Sequence, residues 1–127
     1  MNVNDFISAV IAQDEAKIRP FFADSAVINW HCTNESFTVD EFIKANCEYP
    51  GKWRGEVERV AHFGFLTVAA ICVYPEDRSA SYHCVSFIRC KNGKIVSLDE
   101  YWCDDGQVPE WRRKMNIGRP ISKGKKV

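Results

Sequence analysis

The 127-residue chain has no excess of either charge, with 17 Lys and Arg against 17 Asp and Glu. A neutral balance gives no general attraction to nucleic acid or to an anionic membrane. No apolar run approaches membrane-spanning length. The opening stretch "MNVNDFISAVIAQDEAKIRP" carries acidic and polar groups where a secretory leader needs a basic start and an unbroken apolar segment. A cytoplasmic location is therefore expected. No glycine-rich phosphate cradle, internal repeat or low-complexity linker is present. No two of the six cysteines stand as C-x-x-C. His31–Cys32 and His83–Cys84 are adjacent pairs, but neighbours on a strand face opposite ways, so neither pair closes easily on one ion. The expectation is six free thiols, no metal and no cofactor.

What is present is enough for one domain spanning residues 1–127, since 46% of the residues are hydrophobic and 13% aromatic. Residues 118–127, with Lys123, Lys125 and Lys126, read as a flexible tail. Val3, Phe6, Ile7, Val10, Ile11 and Ile18 keep one apolar stripe at helical spacing, which Pro20 ends. "AVINWHC", residues 26–32, is a short β-rich run. Thr38 and Glu41 form a capping box at the start of a second helix that Pro50–Gly51 stops. Strand then follows strand: "KWRGEVERVAHF", the apolar "LTVAAICVY" expected to be central, "ASYHCVSFIRC", a tight "KNG" connection, and "GKIVSLDEYWCDDG". "VPEWRRKMNIGRPI" reads as a helical turn or flap packed on the body. Helices first and a strand meander after predict an α+β fold with an antiparallel sheet. A strongly curved sheet with helices on one face would make a cone.

The stretches "FFADSAVINW", "FTVDEFIKANCEYPGKWRGEVERV" and "NGKIVSLDEYW" resemble the nuclear transport factor 2-like superfamily, and within it the SnoaL-like, polyketide cyclase-like group. The resemblance covers nearly the whole chain. It implies a curved antiparallel sheet wrapped by N-terminal helices into a cone with an internal apolar pocket, a cystatin-like α+β barrel. It also implies frequent homodimers through the outer sheet face. The fold hosts isomerases, cyclases, dehydratases, epoxide hydrolases and binding modules, so fold alone does not choose among them.

The last strand holds adjacent carboxylates, Asp99 and Glu100. In ketosteroid isomerases of the superfamily a similar "YW" pair ends this strand and its Trp lines the pocket. Carried over, that Trp is Trp102, and two-residue alternation puts Leu98, Glu100 and Trp102 inside. Ser97, Asp99, Tyr101 and Cys103 then face outward. The same carry-over turns Tyr82, Cys84 and Ser86 inward. The isomerase's catalytic Asp falls at Trp30 and its second, protonated Asp near Ser86, so that mechanism lacks both carboxylates here. No strand "R-x-D" supplies the Asp–Arg–Asp arrangement of the epoxide hydrolases.

Glu100 is thus the candidate acid/base, with Trp30, Tyr82, Cys84, Ser86, Leu98 and Trp102 as candidate ligand-binding residues. The functional reading is a desolvated carboxylic acid moving a proton on a small apolar or aromatic compound, as a cofactor-free isomerase, cyclase or dehydratase. The alternative is a non-catalytic ligand-binding or assembly module in which Glu100 is tied to Arg54, Arg89 or a backbone amide. The outward set His83, Val85, Phe87, Arg89 and Tyr101 points to a homodimer through that face.

Overall fold

A computed structural model describes residues 1–121. Helix α1 (Val3–Ile11) is capped by the Asn2 side chain, which accepts from the Asp5 amide, and buries Val3, Phe6 and Ile7. The expected stripe does not run on as one helix to Ile18. Gln13 takes a φ of 54°, the left-handed turn ends α1, and a separate helix α2 (Glu15–Ile18) restarts behind Asp14 as N-cap. Pro20 lies in a 3-10 turn, Arg19–Phe21. Strand β1 (Phe22–Trp30) begins there, four residues ahead of the β-rich run read from sequence. A short strand β2 (Glu35–Phe37), which its polar residues concealed, follows a turn through Asn34 at φ 56°. Helix α3 (Val39–Cys47) has the complete Thr38–Glu41 capping box.

The remaining strands are β3 (Trp53–Phe63), β4 (Leu66–Pro75), β5 (Tyr82–Lys91) and β6 (Lys94–Asp104). Asn92 and Gly93, at φ 53° and 75°, join β5 to β6 in a two-residue turn. Two successive positive φ angles match the twist of a hairpin, which is why Asn-Gly serves there. The sheet order is β2-β1-β6-β5-β4-β3. The apolar β4 is paired on both sides, as expected of an interior strand. The sheet is not wholly antiparallel: β1 runs parallel to β6. This pairing follows from the chain order, because β1 is reached from the helical side and docks on the strand made last. The six-stranded sheet is curved and unclosed, with β2 and β3 as its edges.

The helices cover the concave face. Phe6, Ile18, Ile28, Phe42, Ile88, Ile95 and Leu98 are each 2% exposed or less and make the centre of the core. Phe6, Phe21, Phe22 and Phe42 meet edge to face within it. Gly55 permits a close approach: a Cβ there would lie 2.5 Å from Ile11 Cδ1 and 3.0 Å from the Cys72 carbonyl oxygen. Beyond β6 the flap does not pack on the body as expected. Helix α4 (Glu110–Arg113) is a single turn, and Trp111, Met115 and Ile117 are exposed. The lysines of the proposed tail lie outside the described residues. No described helix is long and apolar enough to cross a membrane.

Candidate functional site

Strand register builds the site. On β6, Glu100 has Ser86 of β5 as its partner on one side and Trp30 of β1 on the other. Cys84 lies opposite Trp102. The pairing of β5 with β6 is unbroken from Arg89–Ser97 to Tyr82–Asp104, so no bulge inverts the faces in this segment. Leu98 and Glu100 are buried, whereas Tyr101 and Cys103 are exposed. These four follow the alternation read from sequence, while Ser97, Asp99 and Trp102 are half-buried.

Glu100 is 5% exposed and its carboxyl is held by neutral donors. The Trp30 indole N–H donates to Oε1 at 3.1 Å. The Ser86 hydroxyl donates to Oε2 at 2.5 Å and the Cys84 thiol to the same oxygen at 3.6 Å. No arginine or other cation pairs with Glu100 among the described residues. Burial disfavours the charged form and pushes the Glu100 carboxyl above its ordinary range, although the hydrogen bonds from Ser86, Trp30 and Cys84 and the nearby Trp102 indole pull the other way. Cys84 is raised too, first by burial and then by the adjacent Glu100 charge, so it remains a thiol. That state suits a hydrogen-bond donor and not a nucleophile.

Trp102 adds the most unusual feature. Its Nε1 is buried and makes no hydrogen bond of normal geometry, the one such side-chain atom among the described residues, yet it lies close enough to Glu100 to favour the ionised carboxylate. An indole N–H out of water and unpaired costs about 1–3 kcal/mol. Trp30 and Trp102 are both half-buried. Trp30 is wedged against Phe37 at 4.6 Å and Phe42 at 6.2 Å between ring centroids. Phe37 escaped the sequence reading because the strand that carries it is only three residues long.

Not every candidate converges on Glu100. Leu98 is wholly buried and belongs to the core between Ile28 and Ile88. Tyr82 lies at the far end of β5, where it meets Trp53 at 5.8 Å. Trp53 itself donates to the Pro50 carbonyl and serves the strand start. Two clefts open elsewhere on the molecule. One of about 690 Å³ lies among α2, the start of β1 and Lys94. A smaller one of about 240 Å³ sits on the outer face between Phe87, Arg89, Asp99 and Tyr101.

Asp99 occupies that outer face. It accepts from Asn29 Nδ2 at 3.0 Å and contacts His31 Nε2 at 2.7 Å. The His31 ring stacks on Tyr101 at 4.4 Å. Partial burial raises the Asp99 carboxyl, but the hydrogen bonds from Asn29 and His31 outweigh it and leave it below the usual range. Two adjacent carboxylates on one strand are thus driven in opposite directions by the two sides of the sheet.

No family model and no curated protein matches the sequence. Solved structures do match. A ketosteroid isomerase candidate from Kribbella flavida DSM 17836 superimposes with a TM-score of 0.79 at 16% identity, over 95% of this chain and 88% of that one. An NTF-2 like protein from Burkholderia xenovorans LB400 gives 0.76 at 22% identity, over 94% and 92%. An LEH-like epoxide hydrolase from M. tuberculosis gives 0.67 at 11% identity, over 80% and 75%.

Proposed function

Starting from a chain with the nuclear transport factor 2-like fold, we propose that it binds a small apolar or aromatic molecule against Trp30 and Trp102 and moves a proton on it through Glu100, as a SnoaL-like protein. The observation that carries this reading is a buried carboxyl with no cation beside it among the described residues, ringed by neutral donors and held above its ordinary range. Such a group is biased toward its protonated form, which can donate a proton or a strong hydrogen bond to a ligand oxygen and take a proton back. The buried Trp102 indole N–H beside Glu100, which makes no hydrogen bond of normal geometry, would supply a second donor. Two donors converging on one oxygen would stabilise negative charge developing there.

The likeness to a ketosteroid isomerase candidate agrees with proton transfer next to a carbonyl. By the resemblance read from the sequence, the two carboxylates of those isomerases would fall at Trp30 and near Ser86, where this chain has no acid. Both side chains instead hydrogen-bond to Glu100. One carboxyl on β6 would therefore serve where the isomerases use two on other strands. Epoxide opening by an Asp–Arg–Asp arrangement receives no support, since no arginine meets Glu100.

The test is carbon-bound deuterium exchange followed by proton NMR in D₂O, using a panel of cyclic enones and aryl ketones, with binding read from tryptophan fluorescence. Exchange above buffer that falls by about 100-fold or more in Glu100→Gln, within the usual range for a general acid/base, and survives in Asp99→Asn supports the assignment. Exchange at the buffer rate across the panel, or exchange indifferent to Glu100→Gln, overturns it. Binding without exchange would establish the non-catalytic ligand-binding module instead.

A further inference from the structure

We propose that Glu58, Cys72 and His83 form a binding site for a divalent transition-metal ion of the zinc type on the outer face of the sheet. The three come from three adjacent strands. Cys72 of β4 lies directly opposite His83 of β5. Glu58 is the extra residue of a bulge in β3, where Val57 pairs with Ile71 and Arg59 with Ala70. A bulge re-aims the side chain it carries, and here the Glu58 carboxylate reaches His83, with Oε1 3.2 Å from Nε2. The carboxylate oxygen, the thiol sulfur and the imidazole nitrogen all lie within 4.8 Å of one another. Ligands at about 2.0–2.3 Å from a tetrahedral zinc stand about 3.3–3.8 Å apart. The Glu58–His83 spacing of 3.2 Å lies just below that range, and the three ligand atoms, none more than 4.8 Å from another, would have to draw slightly together around the ion.

The surroundings favour a metal. The other ring nitrogen of His83, Nδ1, is bonded to Asp105 Oδ1. Asp105 is fixed in turn by the Ser81 hydroxyl and donates its backbone N–H to the Ser81 carbonyl at 3.0 Å. A carboxylate on the far nitrogen of a ligating histidine fixes the tautomer that presents the lone pair, and it strengthens the ligand. The donor set of one thiolate, one imidazole and one carboxylate selects zinc-type ions over magnesium or calcium, which take oxygen. His83 and Glu58 keep 33% and 24% of their side-chain surface in water, so the ion has access and an open fourth position. His83 and Cys84 face opposite sides of β5, so this site lies across the sheet from Glu100 and is independent of the function proposed for it.

The sequence singled out His83 as a metal candidate only beside Cys84; residues 58, 72, 83 and 105 have no motif spacing, and the bulge and the register bring them together. The experiment is titration of the metal-free full chain with Zn²⁺ against a chromophoric chelator, alongside Co²⁺ absorbance. The expected result is one equivalent bound with a thiolate-to-cobalt charge-transfer band. Cys72→Ser and His83→Ala should each weaken binding by more than about 100-fold, and Asp105→Asn by about 10–100-fold. Cys32→Ser, remote on the surface, should leave it unchanged. Glu58→Gln, which keeps the size of the bulged residue, serves if either ligand variant fails to fold. Failure of the wild-type chain to compete with a micromolar chelator overturns the site. So does metal binding or a charge-transfer band that persists in Cys72→Ser.

Discussion

Glu100→Gln separates a desolvated acid from an ordinary buried hydrogen-bonding residue. In the folded chain burial holds the Glu100 carboxyl above its ordinary range, whereas in the unfolded chain it titrates near about 4.3. Below that value both states are protonated and the residue adds no pH dependence. As pH rises past it, the unfolded chain releases the proton while the folded chain keeps it. The folded state then binds more protons, so stability falls with pH. The loss is about 1.4 kcal/mol per pH unit and continues until the folded-state carboxyl itself ionises. Gln has the same shape, and its amide can still accept from Trp30 Nε1 and donate to the Ser86 hydroxyl, so the variant keeps the packing without the titration. Urea unfolding of both proteins at half-unit steps from pH 4 to pH 8 isolates the effect, because groups on the other face such as Asp99 contribute equally to both and cancel. The difference should be smallest near pH 4 and grow upward in favour of Glu100→Gln, flattening above the folded pKa. Parallel stability curves would refute the argument, since they would mean that Glu100 ionises normally inside the fold.

Two further perturbations test the architecture around the site. Gly55→Ala places a methyl group against Ile11 Cδ1 and the Cys72 carbonyl oxygen, and should cost about 1–3 kcal/mol by forcing α1 off β3; an unchanged denaturation midpoint would show that the helix gives way freely. On the outer face Val85, Phe87 and Tyr101 are exposed together, and we propose that a second copy of the chain covers them. Light scattering should show a dimer that Phe87→Glu dissociates by burying an unpaired charge, and a wild-type monomer at micromolar concentration would remove that proposal.

Local chemistry in the sequence was enough for the elements and their faces. Thr38 and Glu41 cap α3 whatever surrounds it, because both hydrogen bonds are made within one turn. Asn92–Gly93 closes the β5–β6 hairpin because few other pairs accept two positive φ angles. Alternation placed Leu98, Glu100 and Trp102 on one face because the period of a strand is fixed by its backbone. The break at Gln13 was not legible, since the apolar stripe continues across it and only Asp14 as a new N-cap marks the restart. Nor was the partnership of Trp30 with Glu100 legible at 70 positions' separation, because it depends on β1 docking parallel to β6. The same holds for Glu58 beside His83, which needs a bulge at one position of β3 and a register shared by three strands. Side-chain periodicity is a property of a segment and survives in isolation. Strand order and register are properties of the packed sheet, settled by burying the whole apolar face at once, and the chemistry around Glu100 and His83 belongs to that second kind.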